Sequence, residues 1–68
     1  MLDLHGQRVL VLGLGISGRS AARFAALRGA EVVAADERPA SRIEGLAGIP
    51  AGVELRVGAP FPDLAPVN

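Results

Sequence analysis

The stretch R-V-L-V-L-G-L-G-I-S-G-R-S-A, Arg8 to Ala21, decides the fold. Its first five residues, Arg8 to Leu12, are almost continuously apolar and carry two β-branched valines. Such a run suits a strand buried on both faces of a parallel sheet. Gly13 to Gly18 then breaks the run with three glycines. From Ser17 to Arg28 the chain is rich in alanine and reads as a helix, closed by Gly29 at the position after the cap. Helical spacing groups Ala21, Phe24, Ala25 and the stem of Arg28, which predicts Phe24 as the anchor of the helix on the sheet. Arg19 and Arg23, four residues apart, are expected on a wetter face.

Gly13-Leu14-Gly15-Ile16-Ser17-Gly18 fits G-x-G-x-x-G without insertion. Each glycine has its own physical task. The first permits the tight turn off the strand. The second lets backbone approach a phosphate with no Cβ between them. The third lets the helix pack close to the strand. The helix then aims unpaired N–H groups and the positive end of its dipole at an anion. Ser17 stands where its hydroxyl could cap those groups or donate to a phosphate oxygen.

Reading outward, Glu31 to Ala35 (E-V-V-A-A) is a second short apolar strand that ends at Asp36. Pro39 can open a helix, and Ser41 to Glu44 (S-R-I-E) resembles a capping box. Gly45, Gly48 and Pro50 keep any such helix short. Val53 to Val57 alternates apolar and charged residues, as a strand with one wet face or at an edge does. The three strands grade from apolar to alternating, which a sheet ordered 3-2-1 would produce. The fold class is therefore α/β with a parallel sheet, of which the first β-α-β-(α)-β half is present. The tail G-A-P-F-P-D-L-A-P-V-N has three prolines and no strand pattern. The first strand would then lie at an unprotected apolar edge, and the expectation is a fragment whose edge is covered by further chain or by a partner copy.

Asp36 follows Gly18 by 18 residues. That is close to the spacing of about 20 at which an acid at the end of the second strand reads a ribose or base. Strand, glycine turn, helix and acid together define a nucleotide site. The plainer readings are that the glycines serve only a tight turn, that Asp36 is a turn-forming acid, and that Ser17 is a simple cap. Taken alone, the motif allows an NAD- or FAD-binding half of an oxidoreductase, or a non-catalytic nucleotide sensor. Asp36 would favour NAD over NADP, because an acid repels a 2′-phosphate.

Composition narrows the classes further. The 68 residues are 50% hydrophobic, with seven basic and seven acidic side chains and no cysteine. Zero net charge argues against a general nucleic-acid or membrane-surface binder. Disulfides and thiolate metal sites are excluded. All the basic residues are arginine, so a lysine-dependent phosphate loop cannot form here. There is no nucleophile–base pair and no cluster of metal ligands, and His5 stands alone. No catalytic or metal-binding residue is expected in the chain. The N-terminus lacks the basic start and apolar stretch of a signal peptide, and no run approaches a membrane span, so a cytoplasmic location is expected.

The longer stretch H-G-Q-R-V-L-V-L-G-L-G-I-S-G-R-S-A-A-R-F-A-A-L-R-G-A-E-V-V-A-A-D-E-R, His5 to Arg38, resembles the start of the Mur ligases, closest to their D-glutamate-adding branch. Carrying the likeness are the lead-in Leu4 to Val9, the run G-L-G-I-S-G-R-S-A-A and the run R-G-A-E-V-V-A-A-D. It weakens after Pro39. The resemblance implies a Rossmann-like three-layer N-terminal domain, incomplete over residues 1–68, that holds the UDP part of UDP-N-acetylmuramoyl-L-alanine. It implies an ATP- and Mg²⁺-dependent ligase of cytoplasmic peptidoglycan synthesis: the substrate carboxylate becomes an acyl phosphate, which the D-glutamate amine attacks to give an amide. The central ATPase and C-terminal domains would lie outside this chain, leaving the fragment inactive. By the same resemblance Gly13, Leu14, Gly15, Ile16, Ser17 and Gly18 would lie against the diphosphate and uridine. Asp36 and Glu37 would contact the uracil, and Arg38 would flank the base or the phosphates. Glu37 departs from the small polar residue usual in the family, and ionised it can only accept hydrogen bonds.

Overall fold

The computed structural model describes residues 3–64. The final residues of the proline-rich tail, 65–68, lie outside the described residues. Three strands, β1 (Arg8–Leu12), β2 (Glu31–Asp36) and β3 (Glu54–Val57), form one parallel sheet in the order β1-β2-β3. This is the expected 3-2-1 arrangement, seen from its other side. Leu12 lies beside Ala35, and Asp36 beside Val57, so the carboxyl ends of the strands lie at one end of the sheet.

Helix α1 (Ile16–Leu27) covers one face. Its buried residues are Ala22 and Ala25, which pack with Val11, Val32 and Ala34 from the sheet and with Ile43 and Val53 from the second crossover. The helix ends as the sequence predicts. Gly29 takes a left-handed conformation (φ 93°), its N–H reaches Ala26 O at 3.1 Å, and the Ala30 N–H reaches Ala25 O at 3.1 Å. This pair of bonds satisfies carbonyls that the last turn would otherwise leave open.

On the opposite face, a one-turn helix α2 (Phe61–Leu64) lies against β2. Arg56 fastens it by donating to Leu64 O at 3.1 Å. The result is three layers, with a short helical turn in the tail, which carries no strand pattern.

Three sequence expectations are corrected. Phe24 does not anchor α1: it is 45% exposed, with the Arg28 guanidinium 4.6 Å from its ring centroid. Strand β1 is not buried on both faces, since Leu10 and Leu12 are exposed and only the side toward α1 is covered. Among the described residues no further strand lies beside the outer edge of β1, as expected for a partial sheet. The second crossover forms two 3₁₀ turns, Ala40–Arg42 and Leu46–Gly48, and Ser41 makes no capping box because it lies inside the first of them.

Candidate functional site

The three glycines of the turn do three different things. Gly13 has φ 94°, a conformation that L side chains rarely adopt, and its N–H donates to Ala35 O at 2.7 Å. Gly15 precedes the helix in an extended conformation, and a Cβ built on it meets no atom within 4 Å. Gly18 is the reverse: a Cβ there would stand 1.8 Å from Gly13 O. The turn, the open approach and the close helix–strand contact read from the spacing are all present.

Among the described residues no side chain caps α1, and no acidic residue stands in its first turn. Ser17 is exposed and sits inside the helix, one residue past its start, so the expected cap is absent. The first N–H groups of the helix have no intrahelical partner by geometry. With the space in front of Gly15 open, these donors and the positive dipole end face outward, where an anion is stabilised. Ile16, 78% exposed, borders the same opening.

Asp36, at the end of β2, is 4% exposed and fully engaged. Its Oδ2 accepts the Leu14 N–H at 2.8 Å and Arg38 Nη2 at 2.7 Å. Its Oδ1 accepts the Arg38 N–H at 2.8 Å and Arg38 Nε at 2.9 Å. The Arg38 side-chain bonds, more than burial opposes, hold this carboxyl well below the usual aspartate range, helped by the two backbone N–H groups. Asp36 raises the affinity of Arg38 for its proton in turn. Asp36 thus ties the glycine turn to the loop after β2. Leu14, 0% exposed, plugs the core beneath the turn. Glu37 is exposed, and its Oε2 accepts the Phe61 N–H at 2.9 Å, steadying the start of α2. The structure therefore brings Gly13–Gly18, Asp36 and Arg38 together, while Glu37 faces α2.

Two features of the site escaped the sequence reading. Arg19 donates from Nη1 to Leu14 O at 3.1 Å. It is half-buried rather than part of a wet face. Asp36 grips backbone within the protein, which an acid-reading-ribose pattern does not reveal. Among the described residues no group of three or more potential metal ligands occurs, and no helix is long and apolar enough to cross a membrane.

Replacing Asp36 with Asn keeps the shape but loses the charge that both Arg38 nitrogens meet. The expected cost is about 1.5–3 kcal/mol, the range for hydrogen bonds to a charged group. A carboxyl held below its unfolded value stabilises the fold above about pH 3.9 and loses that contribution as pH falls through the lower folded value. Urea unfolding across an acid series should show the gap between wild type and Asp36→Asn narrowing below about pH 4. A gap that stays constant there would show that the carboxylate is not the source.

The uncapped helix, the glycine turn and the acid at the end of β2 are arranged as in the first half of a Rossmann-like unit. Seven curated relatives match the chain, all named UDP-N-acetylmuramoylalanine–D-glutamate ligase. That of Aromatoleum aromaticum is 42% identical over 69 aligned residues, covering 100% of this chain and 13% of the relative. That of Chromobacterium violaceum is 46% identical over 59 residues, 85% of this chain and 13% of the relative. That of Caldicellulosiruptor saccharolyticus is 57% identical over 37 residues, 54% of this chain and 8% of the relative. No family model matches, and no solved structure matches. The chain belongs to the Mur ligase family, as a counterpart of the N-terminal region of these relatives. Its aligned residues span between 8% and 13% of the length of these three relatives.

Proposed function

We propose that this segment holds the UDP moiety of UDP-N-acetylmuramoyl-L-alanine for a ligase that adds D-glutamate in peptidoglycan precursor synthesis. The observation that carries this is the open approach at Gly15, set before an uncapped helix start, in a chain whose relatives are named for that reaction. The diphosphate would meet the amides of Gly15 to Gly18. The uridine would lie toward Asp36 and Arg38, with Arg38 half-exposed and able to flank it.

The chain's own residues bind and orient, and none supplies a step of the reaction. ATP and Mg²⁺ would provide acyl-phosphate formation elsewhere in a full-length enzyme, in the cytoplasm. The same longer chain, or a second copy, would cover the outer edge of β1. The 68-residue chain alone should form no amide from UDP-N-acetylmuramoyl-L-alanine, D-glutamate and ATP.

Titrating the native protein with UDP-N-acetylmuramoyl-L-alanine and, separately, with NAD⁺ tests the reading. Saturable binding of the UDP compound with no response to NAD⁺ is expected. Tight NAD⁺ binding and silence toward the UDP compound would restore the oxidoreductase alternative.

A further inference from the structure

We infer that Arg19 is a positioning residue for the anion cradle, and that it links the glycine turn to the crossover between β2 and β3. Four backbone groups of the turn are already held by the protein. The Gly13 N–H is taken by Ala35 O at 2.7 Å and the Leu14 N–H by Asp36 at 2.8 Å. The next two carbonyls are both held by Arg19. Its guanidinium donates to Leu14 O at 3.1 Å, and its backbone N–H donates to Gly15 O at 2.9 Å.

A trans peptide is planar, with its C=O and N–H pointing in opposite directions. Fixing Leu14 O therefore fixes the direction of the Gly15 N–H, which points away from the guanidinium. That N–H belongs to the residue whose Cα opens on empty space. Arg19 thus sets the direction of the donor at the mouth of the turn without needing to touch what binds there.

The crossover backs this arginine. Gly45, 30 residues along the chain from Gly15, has φ 77°, and a Cβ on it would lie 2.6 Å from Arg19 Nε and 3.0 Å from Cζ. A side chain at Gly45 displaces the guanidinium and, with it, the bond to Leu14 O. A residue remote in sequence is thereby coupled to the cradle through one side chain.

The inference rests on the UDP reading for its effect on affinity, and on the free protein alone for its geometry. The experiment compares wild type, Arg19→Met, Arg19→Lys and Gly45→Ala in the native protein, reading the Gly15 N–H order parameter by NMR without ligand and then the Kd for UDP. In Arg19→Met and Gly45→Ala the Gly15 order parameter should fall from about 0.85 toward 0.6. UDP affinity should drop roughly tenfold, as for the loss of one charge-assisted bond. Arg19→Lys, which retains a charged donor, should recover part of both. Because Gly45→Ala acts through Arg19, combining it with Arg19→Met should add little to UDP affinity loss. An unchanged Gly15 order parameter in Arg19→Met and Arg19→Lys overturns the positioning role, even where affinity falls, since the arginine would then contact the anion directly. No UDP binding by wild type would instead defeat the UDP reading, while the ligand-free comparison still decides the role of Arg19.

Discussion

Gly18→Ala should leave the chain largely unfolded. Position 18 lies inside α1, where alanine normally gains about 1 kcal/mol over glycine through helix propensity. Here that gain is overwhelmed. The new Cβ would stand 1.8 Å from Gly13 O, whereas real Cβ contacts essentially never fall under 3.0 Å. The obstacle is a backbone carbonyl in a turn anchored to β2, so no side chain can swing aside. The helix must retreat by more than about an ångström, and Ala22 and Ala25 retreat with it from the core they fill. Overpacking costs typically about 1–3 kcal/mol, and a rigid backbone obstacle belongs at or beyond the top of that range. A chain of 68 residues has only roughly 3–10 kcal/mol in total. Circular dichroism with urea titration measures the outcome. A urea midpoint at or above wild type would show that Gly13 O does not constrain position 18.

Gly15→Val should do the opposite: keep the fold and lose the ligand. The backbone there, φ −70° and ψ −169°, is ordinary extended geometry that valine adopts, and nothing lies within 4 Å of the added Cβ. The branched side chain would fill the space through which a diphosphate reaches the helix amides. Losing two or more charge-assisted hydrogen bonds at about 1.5–3 kcal/mol each weakens UDP binding by at least about a hundredfold. Calorimetric titration, with unfolding curves that superimpose on wild type, would establish this. Undiminished UDP affinity in the folded variant would make the turn purely structural. The two substitutions, three residues apart, separate the glycine that the fold requires from the glycine that the ligand requires.

Much of this was legible because it is local. The order of the elements, the strand gradient and the three glycine roles follow from backbone sterics and short-range pattern. The misplacement of Phe24 has a clear cause. Helical spacing alone does not set which stripe faces the sheet; the close approach at Gly18 does. The stripe facing the sheet runs Gly18, Ala22, Ala25, and Phe24 is rotated out of it. Small residues sit where a helix packs tightly, so the glycine motif itself held the clue.

The Asp36 contact was not legible for a different reason. It depends on strand register, which brings Leu12 beside Ala35 and so sets the turn against the end of β2. Once the register is known, an acid one residue past that pair faces the first free amide of the turn. The role of Glu37 at Phe61 depends likewise on where the tail folds back.

The open side of β1 has a consequence for how such a segment can be reused. The donors of the cradle lie at the strand ends, whereas Leu10, Leu12 and the outer side of β1, which no further strand among the described residues covers, lie along the flank of the sheet. Whatever docks on that flank meets the side of the sheet and not the ends of its strands. Recombination beyond β3 would therefore leave the glycine turn, Asp36 and Arg38 as they stand, because the contacts that hold them all lie within this segment.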